Sequence, residues 1–342
     1  METVEILRQL CEDKGVSGNE YEMTDVIKKL LPEGINVYTT ENGNIIANLG
    51  NDDDKPLIML DAHIDRIGLI VTYIDERGFI KAEPVGGIDL RSLPGSAVTI
   101  QGSEEIMGVI CSIPPHLSKD DNGITRDKIW IDTGLSAEEV NEIVSLGDRV
   151  LLKSHFRTLL ENKVAVSGLD NRAGCAVLIK CAEMLSLEKL PCRVSFVFSS
   201  QEETNESGGR TAAFLLDPDE AIAVDVGFAK QDGVPSDKSG AMGCGAIITI
   251  APVLSRKITD KLKSIACELD IKCDYETDGG TTGTNADAIS ASRGGVPCGL
   301  ISVPEKNMHT QTETLCIDDI EKTASILAEY VKRGGILSNR ID

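Results

Sequence analysis

Short apolar runs recur along the chain with no polar residue setting off one face from the other: Leu57-Ile-Met-Leu60, Val194-Ser-Phe-Val-Phe198, Ala221-Ile-Ala-Val224 and Leu300-Ile-Ser-Val303. Successive side chains of a strand point to opposite faces, so such runs predict strands covered on both sides. Stretches such as Arg172 to Leu185 between them predict the covering helices. Near the start, Met23, Val26, Ile27 and Leu30 fall at i, i+3, i+4 and i+7, which predicts a helix, with Ser17-Gly-Asn-Glu20 as its capping box. At the far end a stripe of Ile320, Ala324, Leu327, Ala328 and Val331 predicts a last helix, with Asp318 as N-cap and Lys332-Arg333-Gly334-Gly335 as stop signal.

Between Arg66 and Lys163 the pattern changes. Ile80-Lys-Ala-Glu83, Ala97-Val-Thr-Ile100 and Ile129-Trp-Ile131 alternate in the manner of half-buried strands. Turn signals at Arg77-Gly78, Pro94-Gly95 and Asn122-Gly123 break them up, and one short helix is expected after Ser136-Ala-Glu-Glu139. The organisation expected is an α/β domain of residues 1–65 and 164–342, built on a mixed sheet flanked by helices. A small β-rich domain, residues 66–163, is inserted into it.

Charge narrows the partners. Fifty-five acidic residues against 34 basic ones give a formal charge of −21, which repels phosphate backbones and anionic membrane surfaces. No nucleic acid and no membrane is therefore expected as a partner. No apolar run approaches membrane-spanning length, and Met1-Glu-Thr-Val-Glu-Ile-Leu-Arg8 lacks the basic start and apolar stretch of a signal peptide. The ten cysteines form no Cys-x-x-Cys pair and read as reduced thiols, so the setting expected is the cytoplasm.

Candidate chemistry sits just after the apolar runs: His63 in Asp61-Ala-His-Ile-Asp65, Asp170 in Leu169-Asp-Asn-Arg172, Glu203 in Gln201-Glu-Glu203, Asp225 in Ala223-Val-Asp-Val226 and His309 in Asn307-Met-His-Thr310. An α/β sheet gathers functional groups outside the carboxyl ends of its strands, where residues distant in sequence meet. Two imidazoles and three carboxylates, one of them shared, give three protein ligands to each of two zinc ions and leave a position open on each. Asp65, two residues after His63, shares its face and is suited to orienting a ligand. Glu202, adjacent to Glu203, can serve as general base where the chain turns at a strand end. Singly, each carboxylate reads as a surface charge or a cap, and Asp170 could cap the helix starting near Asn171. His116 and His155 read as ordinary loop residues. The joint arrangement carries the case.

These motifs, with Leu93-Pro-Gly95, Pro114-Pro-His-Leu117 and Gly294-Gly-Val-Pro297, span nearly the whole chain in an order that resembles the glutamyl and deblocking aminopeptidases. That family consists of dinuclear zinc peptidases that assemble into tetrahedral shells and are often labelled endoglucanases. The resemblance implies a zinc-peptidase-like fold, an inserted β-barrel used for dimer contacts, and two divalent metal ions per subunit, zinc or cobalt. It implies one metal on His63, Asp170 and Asp225 and the other on Asp170, Glu203 and His309. Glu202 would be the general base, Asp65 a residue positioning the site, and peptides the substrates. A homo-oligomer is implied, as dimers and, beyond them, a tetrahedral dodecamer. Arg66 and Thr204-Asn-Glu-Ser-Gly208 depart from the family pattern beside the ligands. Asp278-Gly-Gly-Thr-Thr-Gly-Thr-Asn285 resembles a loop near the substrate, and Arg66, Arg91 and Arg210 are candidates for a pocket selecting acidic side chains. Two other readings compete. Glycoside hydrolysis suits the endoglucanase label, but a 4% aromatic content with one Trp offers few platforms for sugar rings. A structural or regulatory assembly without catalysis leaves the retention of Glu202 unexplained.

Overall fold

The four apolar runs form the middle of one sheet in the computed structural model, which describes residues 1–337 except 13, 51, 53, 115 and 118–124. Strands Arg193–Ser199, Leu57–His63, Glu220–Phe228 and Cys298–Lys306 lie side by side in that order, all parallel. Antiparallel strands extend both flanks, Ile45–Leu49 and Asn36–Thr39 on one side and Glu313–Cys316 and Lys163–Val166 on the other. The result is a mixed, 11-stranded sheet.

Both faces are covered, as the unbroken apolar runs require. Ile58, Leu60 and Ala62 pack into one core with the helices Thr3–Leu10, Leu169–Leu185, Arg256–Glu268 and Ile317–Lys332. Met59, on the opposite face, packs with Ala212, Ala213 and Ile289 from the helices Ser207–Leu216 and Asn285–Ser290. Parallel strands align their carboxyl ends along one edge, and the functional residues collect there.

Six strands between Gly68 and Leu152 close into an antiparallel barrel. Leu69, Val71, Ile80, Ile100, Ile131 and Val150 fill its interior. Closure leaves no sheet edge exposed. The expected short helix is Ala137–Ile143, and the structure gives it a capping box, Ser136 accepting from the Glu139 amide while Glu139 accepts from the Ser136 amide. The Asn122-Gly123 turn lies outside the described residues.

Two end signals work differently from the expectation. Ser17-Gly-Asn-Glu20 does not cap a helix: Glu20 accepts from the amides of Gly18 and Gln201, tying the N-terminal segment to the functional edge. A short 3-10 turn, Glu20–Met23, then leads into the helix Thr24–Leu30. Asp318 is not the N-cap of the last helix, which starts at Ile317; it lies in the first turn and accepts from the Asn162 side chain. In both cases the carboxylate takes a donor distant in sequence, alongside the Gly18 amide at Glu20 and in place of a cap at Asp318.

Candidate metal centre

His63 ends its strand, and the next turn places Asp65 beneath it. The Nδ1 of His63 faces the Asp65 carbonyl at 3.1 Å, which leaves Nε2 directed away from the sheet. Asp65 itself is fully buried, and its two oxygens accept from the amides of Glu202 and Glu203 at 3.0 and 3.1 Å. One carboxylate thus fixes both the turn after His63 and the first turn of the helix Glu202–Asn205. Gln201, just before it, takes a left-handed conformation at φ 55°, swinging both glutamates out of the strand direction.

Asp170 lies between the two imidazoles. Its Oδ1 is 3.1 Å from His63 Nε2 and its Oδ2 is 3.1 Å from His309 Nε2. Asp225 Oδ1 is 3.7 Å from the first nitrogen and Glu203 Oε2 is 3.6 Å from the second. Two triads result, His63–Asp170–Asp225 and Asp170–Glu203–His309, each with ligand atoms within 4.8 Å of one another. Glu202 Oε2 approaches His63 Nε2 at 3.8 Å without belonging to either triad. Asp170 does not cap a helix: its two oxygens face the imidazoles, and the neighbouring Asn171 accepts from the Gly174 amide instead.

Electrostatics fit cations at this place. Burial first, and Asp170 next, push the Glu203 carboxyl well above its usual range, and burial also lifts Asp225. Glu202 is pushed up to about 8 by burial, partly offset by His63 and reinforced by Asp225 and Asp170. Burial opposes the His63 imidazolium, yet Glu202, Asp170, Asp225 and Asp65 carry its pKa well above the ordinary value. Burial likewise opposes ionisation of Asp170, but the two imidazoles hold it low. Buried carboxylates that repel one another, with Glu203 Oε1 buried and lacking a hydrogen-bond partner, are the donor set a divalent ion satisfies.

Sequence reading missed the supporting roles of three residues. Glu313, fully buried, accepts from the amides of Gly168 at 2.6 Å and His309 at 3.1 Å, and so anchors the segments bearing Asp170 and His309. Nothing in its spacing signals this, because it acts through backbone amides. Asn285 donates to Asp61 and Ser199, both at 2.8 Å, pinning the start of its helix to the sheet. Gly87 enters from the barrel side: its carbonyl lies 2.9 Å from His309 Nδ1, and a Cβ there would come within 2.9 Å of the same nitrogen. The adjacent glycines Gly86-Gly87 were the one available clue to such a close approach.

A cavity of about 450 Å³ opens over the triads, and Thr204, Asn205 and Glu206 line it, so the departure after Glu203 does reach the pocket. Arg66 does not. It is buried and donates to Ser167, while Arg91 is paired with Asp89 in solvent and Arg210 is exposed outside the lining. Phe228 is the one aromatic residue of the lining, a poor surface for sugar rings. His116 and His155 are exposed and are not among the lining residues.

The M42 glutamyl aminopeptidase family model matches residues 43–326. The lysyl aminopeptidase of Pyrococcus furiosus is 31% identical over 348 aligned positions, covering 96% of this chain and 97% of that protein. A solved aminopeptidase from the archaeon Desulfurococcus kamchatkensis matches with a TM-score of 0.90 at 27% identity, over 97% of this chain and 94% of that one. The Pyrococcus horikoshii TET1 peptidase, which can assemble into a tetrahedron or a large octahedral shell, matches with a TM-score of 0.85 at 31% identity, over 96% and 99%. Fold and relatives together define a peptide hydrolase acting at N-termini. The chain belongs to the M42 glutamyl aminopeptidase family, a family of metallopeptidases.

Proposed function

We propose that this aminopeptidase works with two divalent metal ions, one held by His63, Asp170 and Asp225 and the other by Asp170, Glu203 and His309, with Asp170 shared. The observation that carries the reading is Asp170 facing a different imidazole with each oxygen, at 3.1 Å on both sides. Bound there, the metals supply a polarised carbonyl and a water acidic enough to attack at neutral pH. A mixed nitrogen and oxygen donor set suits zinc or cobalt.

Glu202 is the general base. Mostly buried, outside both triads and beside His63, it accepts the proton of the attacking water and returns it to the nitrogen of the leaving peptide. Asp65 positions the machinery, since its carboxylate binds the amides of both Glu202 and Glu203. Glu313 holds the backbone of Asp170 and His309 in the same sense.

The inserted barrel, residues 66–163, is the dimer-forming domain of this reading, and a tetrahedral dodecamer is the assembly it leads to, by analogy with the Pyrococcus horikoshii peptidase. The cytoplasm, inferred from ten free thiols, completes the proposal.

Metal analysis of the purified full-length protein tests it first. About two ions per chain, lost on chelation together with release of free amino acids from peptides and restored by zinc or cobalt, is the expected result. Peptide hydrolysis that survives complete metal removal would overturn the reading.

A further inference from the structure

We propose that the cleft selects peptides whose N-terminal residue has a cationic side chain, lysine or arginine. This rests on the aminopeptidase site described above and adds its substrate class.

Beyond the metal ligands and Glu202, the charged residues lining the cavity are Glu206, Glu276 and Asp278, with no lysine or arginine among the lining residues. Asp278 is paired with Lys238, which neutralises it. Glu206 and Glu276 have no ion pair among the described residues. Glu206 sits at the left-handed junction, φ 57°, between the helices Glu202–Asn205 and Ser207–Leu216, and lines the cavity. Arg210, on the helix that follows, offsets it only through the field, while Asp287 and Asp225 oppose it. Glu276 lies on the strand Asp274–Thr277, with Asp278 opposing it and Lys238 offsetting. Burial comes first in raising both carboxyls, so each is partly desolvated, and the cations that offset them, Arg210 and Lys238, act without a direct ion pair.

The cavity joins these two carboxylates to the catalytic end, where Glu203 Oε1 is buried and unpartnered. Val226, Phe228, Leu300 and Met308 line the same space. That combination fits a long aliphatic stem ending in a positive head: the stem covers apolar surface, Phe228 offers a ring face, and the head meets the carboxylates. An acidic side chain would enter a space whose unpaired charges are all negative. Charge-assisted hydrogen bonds of this kind correspond to about a 10–100-fold preference.

The test uses the full-length, metal-loaded protein and four p-nitroanilides, lysyl, arginyl, leucyl and glutamyl. Expected is a kcat/KM for the lysyl and arginyl substrates at least tenfold above leucyl, with glutamyl lowest. In Glu206→Gln and Glu276→Gln the lysyl-to-leucyl ratio should fall, and free L-lysine should inhibit the wild type more tightly than L-norleucine, which has a comparable stem without the ammonium. Cleavage led by the leucyl or glutamyl substrate overturns the inference while leaving the aminopeptidase reading intact, as does a ratio unmoved in both variants or norleucine binding as well as lysine. Failure to cleave any of the four with metals bound would overturn both.

Discussion

The barrel and the large sheet bury different kinds of residue. Among the described residues of the barrel strands, Thr99 is the one buried polar side chain, and the interior is aliphatic. The large sheet buries Asp61, His63, Asp225, Glu305 and Glu313 within its own strands, and Asp65, Arg66, Asp170 and Arg172 just outside them. Several of those groups are unsatisfied: Asp61 Oδ1, Arg66 Nε, Arg172 Nε and both oxygens of Glu305 lack hydrogen-bond partners, as does Glu203 Oε1 beside them. A sheet fold does not require this, as the barrel demonstrates. Buried charge without full pairing opposes folding, and its concentration at one strand edge marks the place where binding of something else compensates.

The contrast is broken most severely at Glu202. Replacing it with Gln keeps the shape but removes the base, so kcat should fall by about 10²–10⁴-fold while metal content stays unchanged. Steady-state kinetics with metal analysis on the same sample checks this. Near-normal turnover would remove Glu202 from the proton transfer.

A second test asks whether the sheet's buried charges behave as described when metals are withdrawn. Burial pushes Asp61 up to about 7 and Glu202 and Glu313 to about 8. Burial works against His309, but Asp170 and Glu203 raise it to about 10. Each of these folded values lies above the unfolded one, so between pH 6 and 10 the folded chain holds more protons than the unfolded chain. Stability must then fall as pH rises. Asp170 has the opposite sign, but its effect belongs below its unfolded value of 3.8, outside this window. Chelated protein should therefore melt progressively lower from pH 6 to pH 9, and added zinc or cobalt should raise the melting temperature more at pH 8 than at pH 6, because ligands must be deprotonated to bind. A flat or rising melting profile for the chelated protein would contradict the charge assignment.

The same contrast explains what could be read from the sequence. Strands such as Leu57–His63 were legible because burial on both faces writes an unbroken apolar run, and barrel strands because burial on one face writes alternation. His63, Asp170, Glu203, Asp225 and His309 stood out by their position after those runs, and the structure brings all five together. Glu313 and Gly87 did not stand out, and Asn285 did so only as the end of a loop expected near the substrate. Their contributions pass through backbone amides, a buried side-chain amide and a carbonyl, groups whose partners are more than 80 residues away for most of these contacts. Glu20 misled for a related reason: its spacing from Ser17 fits a local cap, but the Gln201 amide on a distant turn competes for the same carboxylate.

The barrel offers the smallest and most selective test. Leu69 is fully buried, pairs across the ladder with Pro84 and Val150, and packs only within the barrel core. Leu69→Ala should cost about 2–5 kcal/mol of stability, since the cavity left in an aliphatic core adds to the lost transfer energy. Urea titration of the metal-loaded protein would register it as a lower midpoint. Its kcat/KM should stay within about twofold of the parent, because the substitution leaves the triads and their anchors in the large sheet intact. The segment through which it can spread is Gly86-Gly87: the Gly87 carbonyl lies 2.9 Å from His309 Nδ1, and a Cβ on Gly86 would come within 3.1 Å of Glu203 Oε2. A tenfold fall in kcat/KM with the fold retained would therefore mean that the barrel orients Glu203 and His309 through Gly86-Gly87, making it a working part of the site.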